Sequence, residues 1–337
     1  MKFLDKEHSA GVLELDEKVI NDLKEKHPQS EPPSEQGLLE GPVRTVPHYY
    51  FEPIDEQEVM RAALKTKGSA GPSAMDADAF RRILCSKNFN TCGKELREEI
   101  AILTKNLATK HFDPVLLGPY VNARLIPLNK NPGVRPIGIG EVLRRIIGKV
   151  ISKHASDSIK EAAGPLQTCA GHGAGTEAAI HSMREVFKNE GTDDAVLLID
   201  ASNAFNKLNR ATALNNIQIT CPEISTYIIN TYRRPSRLFI TGGKEISSQE
   251  GTTQGDPLAM PWYALSTTTM ISHLSLNTTN IHQVWLADDA AGAGKIKNLH
   301  SWYNILKEVG KHHGYEVNGS KSWLICNTEE VAAEATQ

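Results

Sequence analysis

The chain lacks any run of apolar residues long enough to cross a bilayer, which takes about 20, so an integral membrane protein is not expected. Its opening, Met1-Lys2-Phe3-Leu4-Asp5, turns acidic instead of entering an apolar stretch, so neither a signal peptide nor secretion is expected. Cysteine is sparse. Cys85, Cys92, Cys169, Cys221 and Cys326 form no CxxC pair, and their odd number argues against a disulfide framework. Reduced thiols in a cytoplasmic or nuclear compartment are the expectation. The twelve histidines show no HxxxH spacing of a zinc site, and His312-His313 reads as a solvated helix end.

What is present is a 337-residue chain, 40% hydrophobic and 23% charged, enough for a sizeable core and two or three subdomains. The net charge of −3 is unevenly spread. Residues 1–60 hold 14 acidic and 6 basic residues, a net −8, which leaves +5 on 61–337. Between Val121 and Lys160 eight Lys or Arg face only Glu141 and Asp157, a basic stripe of the kind that binds phosphate.

Residues 1–50 read as an acidic, poorly ordered lead-in with one amphipathic helix over Leu13–Lys26, broken by His27-Pro28-Gln29-Ser30-Glu31-Pro32-Pro33-Ser34. Residues 51–120 read as helical, with Asp55 capping a helix to about Lys67, a turn at Gly68-Ser69-Ala70-Gly71-Pro72-Ser73, and helical spacing over Met75–Cys85 and Lys94–Lys110. From 121 the texture changes: strands over Asn122–Leu128 and Val134–Ile139 flank a turn at Asn131-Pro132-Gly133. A basic helix over Glu141–Ile159 and another over Gly175–Lys188 follow. Helices and short strands alternate without a regular βαβ rhythm, so the expected class is α+β.

Two stretches put carboxylates at strand ends. Ala195-Val196-Leu197-Leu198-Ile199 is a buried-strand pattern that ends in Asp200. Val284-Trp285-Leu286-Ala287-Asp288-Asp289-Ala290 fits a hairpin with two aspartates at its turn, an arrangement that repels itself without a cation. Oxygen-only ligands favour Mg²⁺ or Mn²⁺ over zinc. A third string, Gln254-Gly255-Asp256-Pro257-Leu258, joins a close-approach glycine to an expected N-cap at Asp256, with Pro261 awkward inside the helix that follows. Plainer readings stand beside these: a helix-capping Asp200, an ordinary turn, and a glycine-rich loop before a buried helix.

Taken in order, the strings resemble the polymerase motifs of reverse transcriptases, especially those of retroelements without long terminal repeats. Asp200 with Phe205 resembles the first palm motif, and Gln254-Gly255-Asp256-Pro257-Leu258 the QGDPL segment. Leu286-Ala287-Asp288-Asp289 resembles the YADD box, and Gly314-Tyr315-Glu316-Val317-Asn318-Gly319-Ser320-Lys321 the glycine-to-lysine motif after it. Leu128-Asn129-Lys130 with Arg135-Pro136-Ile137 looks like the fingers hairpin, and Gly68-Ser69-Ala70-Gly71-Pro72 like an earlier family segment; the likeness runs from about residue 60 to 326.

The resemblance implies right-hand fingers and palm over 121–337 with an antiparallel palm sheet, behind a helical extension over 51–120 and the lead-in over 1–50. It implies a thumb largely missing, as in part of a longer polyprotein or a truncated copy. It implies RNA-directed DNA synthesis from an RNA template, a DNA primer and dNTP. Two Mg²⁺ (or Mn²⁺) ions, about 3.5–4 Å apart in such sites, would be held by Asp200, Asp288 and Asp289. Lys130 and Arg135 would neutralise the triphosphate, Gln254 and Gly255 would lie along template and nucleotide, and Lys321 would protonate the leaving pyrophosphate. Phe205 would be the steric gate against a ribose 2′-hydroxyl. For Lys130, Arg135 and Lys321 a solvated surface role stays open, and for Phe205 a core role. Leu286 departs from the family's aromatic at that position. Rival readings are an inactive nucleic-acid-binding relic and an RNA-dependent RNA polymerase; Phe205 weighs against the latter. The oligomeric state is not readable.

Overall fold

The computed structural model describes residues 11–130, 133–189 and 194–335. Among them the fold is α+β, with fourteen helices and two four-stranded sheets. The helices are α1 (Glu17–Glu25), α2 (Glu56–Lys65), α3 (Ala77–Cys85), α4 (Asn90–Thr109), α5 (Gly118–Val121), α6 (Val142–His154), α7 (Ser156–Ala163), α8 (Gly175–Asn189), α9 (Ala204–Lys207), α10 (Arg210–Thr220), α11 (Pro222–Tyr232), α12 (Ala259–Asn277), α13 (Ile296–Lys311) and α14 (Glu329–Ala335). The strands are β1 (Ala123–Asn129), β2 (Val134–Gly140), β3 (Asp194–Ile199), β4 (Ser236–Ile240), β5 (Lys244–Ser248), β6 (His282–Leu286), β7 (Asp289–Lys295) and β8 (Trp323–Cys326). Among the described residues no helix is long and apolar enough to cross a membrane. The chain divides into two compact units: Met1–Glu31, Pro42–Ala155 and Pro222–Ala259 form the first, and Pro32–Gly41, Ser156–Cys221 and Met260–Gln337 the second.

In the first unit the strand order is β2-β1-β4-β5. β1 and β2 form an antiparallel hairpin from Ala123↔Gly140 to Asn129↔Val134, while β4 joins β1 in parallel only at Ala123 and Arg124. The tip of the expected turn, Asn131-Pro132, lies outside the described residues; Lys130 N–H reaches the Gly133 carbonyl at 3.0 Å. From residue 11 on, the lead-in is more ordered than its composition suggests. Val12 bridges Leu128, with Leu13 N–H on the Pro127 carbonyl at 2.9 Å. This extended segment is why α1 begins only at Glu17, where Asp16 Oδ1 accepts from Val19 N–H at 2.7 Å. Val19 and Leu23 of α1 then bury against Ala123, Leu125, Val134, Leu238, Ile240 and Ile246. Asp55 and Asp76 cap α2 and α3 in the same way.

The basic helix expected over Glu141–Ile159 is two helices, α6 and α7, separated at Ala155, where ψ swings to 14°. Just before the break His154 Nε2 is held by the Tyr50 carbonyl at 2.7 Å. Five of the eight cations in the basic stripe make bonds within the first unit. Arg145 donates to the carbonyls of Lys67 and Ser69, Arg124 to Ala70, Lys149 to Lys65, Lys153 to Glu58, and Arg144 to Asp256 and the Val121 carbonyl. Carbonyls left by the turn after α2 take up cations that the sequence leaves unassigned.

In the second unit the sheet order is β6-β7-β3-β8, antiparallel throughout. Met183 of α8 packs with Val196, Val284 and Ala293, while Leu299 of α13 packs with Ala195 and Val331. The indole N–H groups of Trp285 and Trp302 both donate to Gln283 Oε1, at 3.0 and 3.1 Å. His313, expected at a solvated helix end, is 2% exposed instead. Burial, reinforced by His312 and His273, lowers its imidazole to about 4. Pro261 is the third residue of α12, inside the first turn, where a missing N–H costs no helical bond. The helix runs from Ala259, and in the turn that leads into it Asp256 Oδ1 accepts from Leu258 N–H at 2.8 Å while the Asp256 carbonyl accepts from Ala259 N–H at 3.1 Å.

Candidate active site

The register of the second sheet brings two of the predicted carboxylates together. The β3–β7 ladder ends at Ile199↔Ala290, and one step beyond it Asp200 stands across from Asp289. Asp288 precedes Asp289 in the two-residue turn Ala287-Asp288, because Leu286 pairs with Asp289. Ala287 has φ +57°, a left-handed conformation that an alanine rarely takes.

Asp200 is fixed by the segment after α13. Asn318 N–H donates to the Asp200 carbonyl at 2.8 Å, and Asn318 Nδ2 to Asp200 Oδ2 at 3.2 Å. Lys321 Nζ lies 3.8 Å from the same Oδ2, a charge contact longer than a hydrogen bond. The Tyr315 hydroxyl donates to the Asp288 carbonyl at 2.8 Å, with its ring edge-on to Trp285 at 5.7 Å. Burial, followed by Asp288, Asp289 and Asp200, holds the Tyr315 phenol well above its ordinary pKa, so it stays a donor. Phe205 stacks on the buried ring of Tyr263, with centroids 4.5 Å apart and planes at 21°.

Partial burial and then the Asp200 charge raise the Asp289 carboxyl above its usual range. Among the described residues no three His, Cys, Asp or Glu side chains gather into a ready cage for a metal. The expected convergence is thus a facing pair, Asp200 and Asp289, with Asp288 beside it in the turn. Carboxylate-only donors and a repulsion that a cation would relieve fit a hard divalent ion.

The remaining candidates belong to the first unit. Gly138 N–H donates to the Gln254 carbonyl at 3.1 Å, which pins the Gln254-Gly255 loop to β2 of the hairpin that carries Lys130 and the exposed Arg135. Gly255 has φ +112°, and a Cβ there would sit 2.5 Å from the Gly138 carbonyl oxygen, so only glycine fits. Asp256 Oδ2 is paired with Arg144 and accepts from the Tyr232 hydroxyl at 3.0 Å. Burial and the Asp256 charge keep that phenol protonated.

A family model described as "Reverse transcriptase (RNA-dependent DNA polymerase)" matches residues 127–333. The chain belongs to the reverse transcriptase family. No curated protein matches it. The reverse transcriptase region starts inside β1 and includes Asp200, Phe205, the Gln254-Gly255 loop, the Asp288-Asp289 turn and Lys321. Membership brings RNA-dependent DNA polymerase activity as the family's general property, nucleic acid as substrate and a general use of divalent metal.

Sequence reasoning assigned no role to Gln167, Tyr263 or Tyr315, and it took Arg144 only as part of the basic stripe. All four are buried, Arg144 against Asp256, and nothing in the local pattern marks a buried polar side chain whose partner lies distant in the chain.

The raised Asp289 carboxyl has a stability consequence. An acid whose folded pKa is raised favours the fold while protonated, and that contribution is lost as pH rises through the folded pKa. In EDTA at about pH 7, Asp289→Asn should therefore melt higher than the parent, with the gain shrinking toward about pH 4. A lower melting temperature for Asp289→Asn at neutral pH would contradict this electrostatic account.

Proposed function

We propose that the chain copies RNA into DNA, transferring a nucleotidyl group from dNTP to a primer 3′-hydroxyl, as the polymerase of a retroelement lacking long terminal repeats. The observation that carries this reading is the register that sets Asp200 across from Asp289, next to the Asp288 turn, inside a reverse transcriptase match. The β6-β7-β3-β8 sheet is read as the palm and the β1–β2 hairpin as part of the fingers. Residues 121–337 form the polymerase domain in this reading, 51–120 a helical extension and 1–50 a lead-in.

Asp200, Asp288 and Asp289 would hold two Mg²⁺ or Mn²⁺ ions. When bound, these supply Lewis-acid activation of the 3′-hydroxyl and of the departing pyrophosphate. Lys130 and Arg135 neutralise the triphosphate, Arg135 offering a planar fork to its oxygens. Gln254 and Gly255 line template and nucleotide. Lys321 donates the proton to pyrophosphate, and its Nζ lies 3.8 Å from Asp200 Oδ2, beside the acidic pair.

Phe205 is the gate that selects deoxyribose, and its stacking on Tyr263 supports a fixed ring. Primer extension on an RNA template with dNTP and with rNTP tests the reading. The parent should extend with dNTP and discriminate against rNTP. Phe205→Ala should raise rNTP use relative to dNTP on the order of tenfold or more. An unchanged ratio in a folded Phe205→Ala variant would reduce Phe205 to a core residue, and parent extension with rNTP alone would favour an RNA polymerase.

A further inference from the structure

We propose that Gln167 is a positioning residue for the acidic turn, holding Ala287 so that Asp288 and Asp289 meet their cations in a fixed geometry. The proposal rests on the metal-binding reading of those aspartates. Leu166–Thr168 runs along β6. Trp285 N–H donates to the Leu166 carbonyl at 2.8 Å, and both Thr168 N–H and Thr168 Oγ1 donate to the Trp285 carbonyl at 2.8 Å. Gln167 itself forms a parallel bridge with Trp285. From that anchored backbone its carboxamide reaches the turn. Oε1 accepts from Ala287 N–H at 2.9 Å, and Nε2 donates to the Ala287 carbonyl at 3.1 Å. The other Nε2 hydrogen goes to Thr267 Oγ1 at 3.0 Å, and Thr267 in turn donates to the Ala264 carbonyl at 2.8 Å.

One side chain thus takes both backbone groups of Ala287, as a neighbouring strand would, and ties them to α12. Gln167 and Thr267 are fully buried, so water does not compete for these bonds. The residue held is the one with a left-handed φ, and its conformation sets the direction in which Asp288 leaves the turn. Tyr315 holds the next carbonyl, that of Asp288. Ala287 is itself buried, so its N–H and C=O need partners, and one side chain supplies both at the residue just before the acidic pair.

Gln167→Met keeps the length and volume of the side chain and removes its hydrogen bonds. Three readouts test it: amide exchange over residues 284–292, Mn²⁺ affinity of the protein without nucleic acid by electron paramagnetic resonance, and steady-state extension. The expected result is faster exchange at the turn with β3 still protected, and a loss of roughly 10–100-fold in Mn²⁺ affinity or kcat. The dNTP KM should stay within about twofold, because removing a group that orients metal ligands acts on the chemical step more than on nucleotide binding. Tyr315→Phe, which deletes a single hydroxyl, should move the same readouts in the same direction and serves if Gln167→Met does not fold. Unchanged Mn²⁺ affinity and kcat, or a loss of protection spread evenly over the sheet, overturns the proposal. Asp288→Asn separates the two levels. If it too leaves Mn²⁺ binding intact, the metal reading fails; if it abolishes binding while the Gln167 and Tyr315 variants do not weaken it, only the positioning role fails.

Discussion

Asp288→Asn is expected to lower Mg²⁺-dependent primer extension by about 10²–10³-fold or more, with the fold intact. The substitution keeps the shape of the side chain and removes its charge. Asp288 follows the residue held by Gln167, and its own carbonyl is held by Tyr315, so the backbone that carries it should persist in the variant. A single-turnover extension rate measures the effect, with thermal melting as the control for folding. Near-parental extension by Asp288→Asn would remove Asp288 from the catalytic set.

The second large effect is on stability. Arg144→Leu is expected to destabilise the first unit by about 3–5 kcal/mol, because it leaves the Asp256 carboxylate buried without its cation. Their side chains are 2% and 1% exposed, so water cannot replace the lost partner. The Tyr232 hydroxyl and Leu258 N–H would remain as its only neutral partners among those described around that carboxylate. The double variant Arg144→Leu/Asp256→Leu should recover much of the loss, since a buried pair replaced by apolar groups is often near neutral. Urea denaturation of the parent and both variants measures this. A cost below about 1 kcal/mol for Arg144→Leu alone would mean that the pair behaves as an exposed one. Because Asp256 follows Gly255 directly, the single variant should also loosen the Gln254-Gly255 loop.

Much of this architecture was legible from local pattern. The apolar run before Asp200 becomes β3, the aspartate pair between apolar strands falls at the β6–β7 hairpin, with Asp288 in its turn and Asp289 opening β7, and Asp55 caps α2 as its position suggests. These features depend on residues adjacent in the chain, where strand alternation and capping chemistry act directly. What could not be read depends on tertiary partners. The break at Ala155 splits an unbroken helical pattern, and nothing local shows that Arg124, Arg144, Arg145, Lys149 and Lys153 meet carbonyl and carboxylate partners distant in the chain. His313 carries no sign of its burial, because Asn209 N–H on its carbonyl comes from another part of the chain. Gln167 is the clearest case, since its neighbours in sequence do not reveal that Ala287 will lie against it. In the candidate site, the identities of the acidic residues were accessible from sequence, while the supports that orient them were not.

Extension of a DNA primer on an RNA template by the parent chain, with Mg²⁺ and dNTP and with Asp200→Asn run alongside, tests the central claim most directly. The account predicts template-directed DNA products from the parent, none with EDTA, and a loss of about 10²-fold or more in Asp200→Asn. Equal extension by the parent and by a folded Asp200→Asn variant would contradict it, as would binding of primer-template by the parent with no nucleotide addition in either metal.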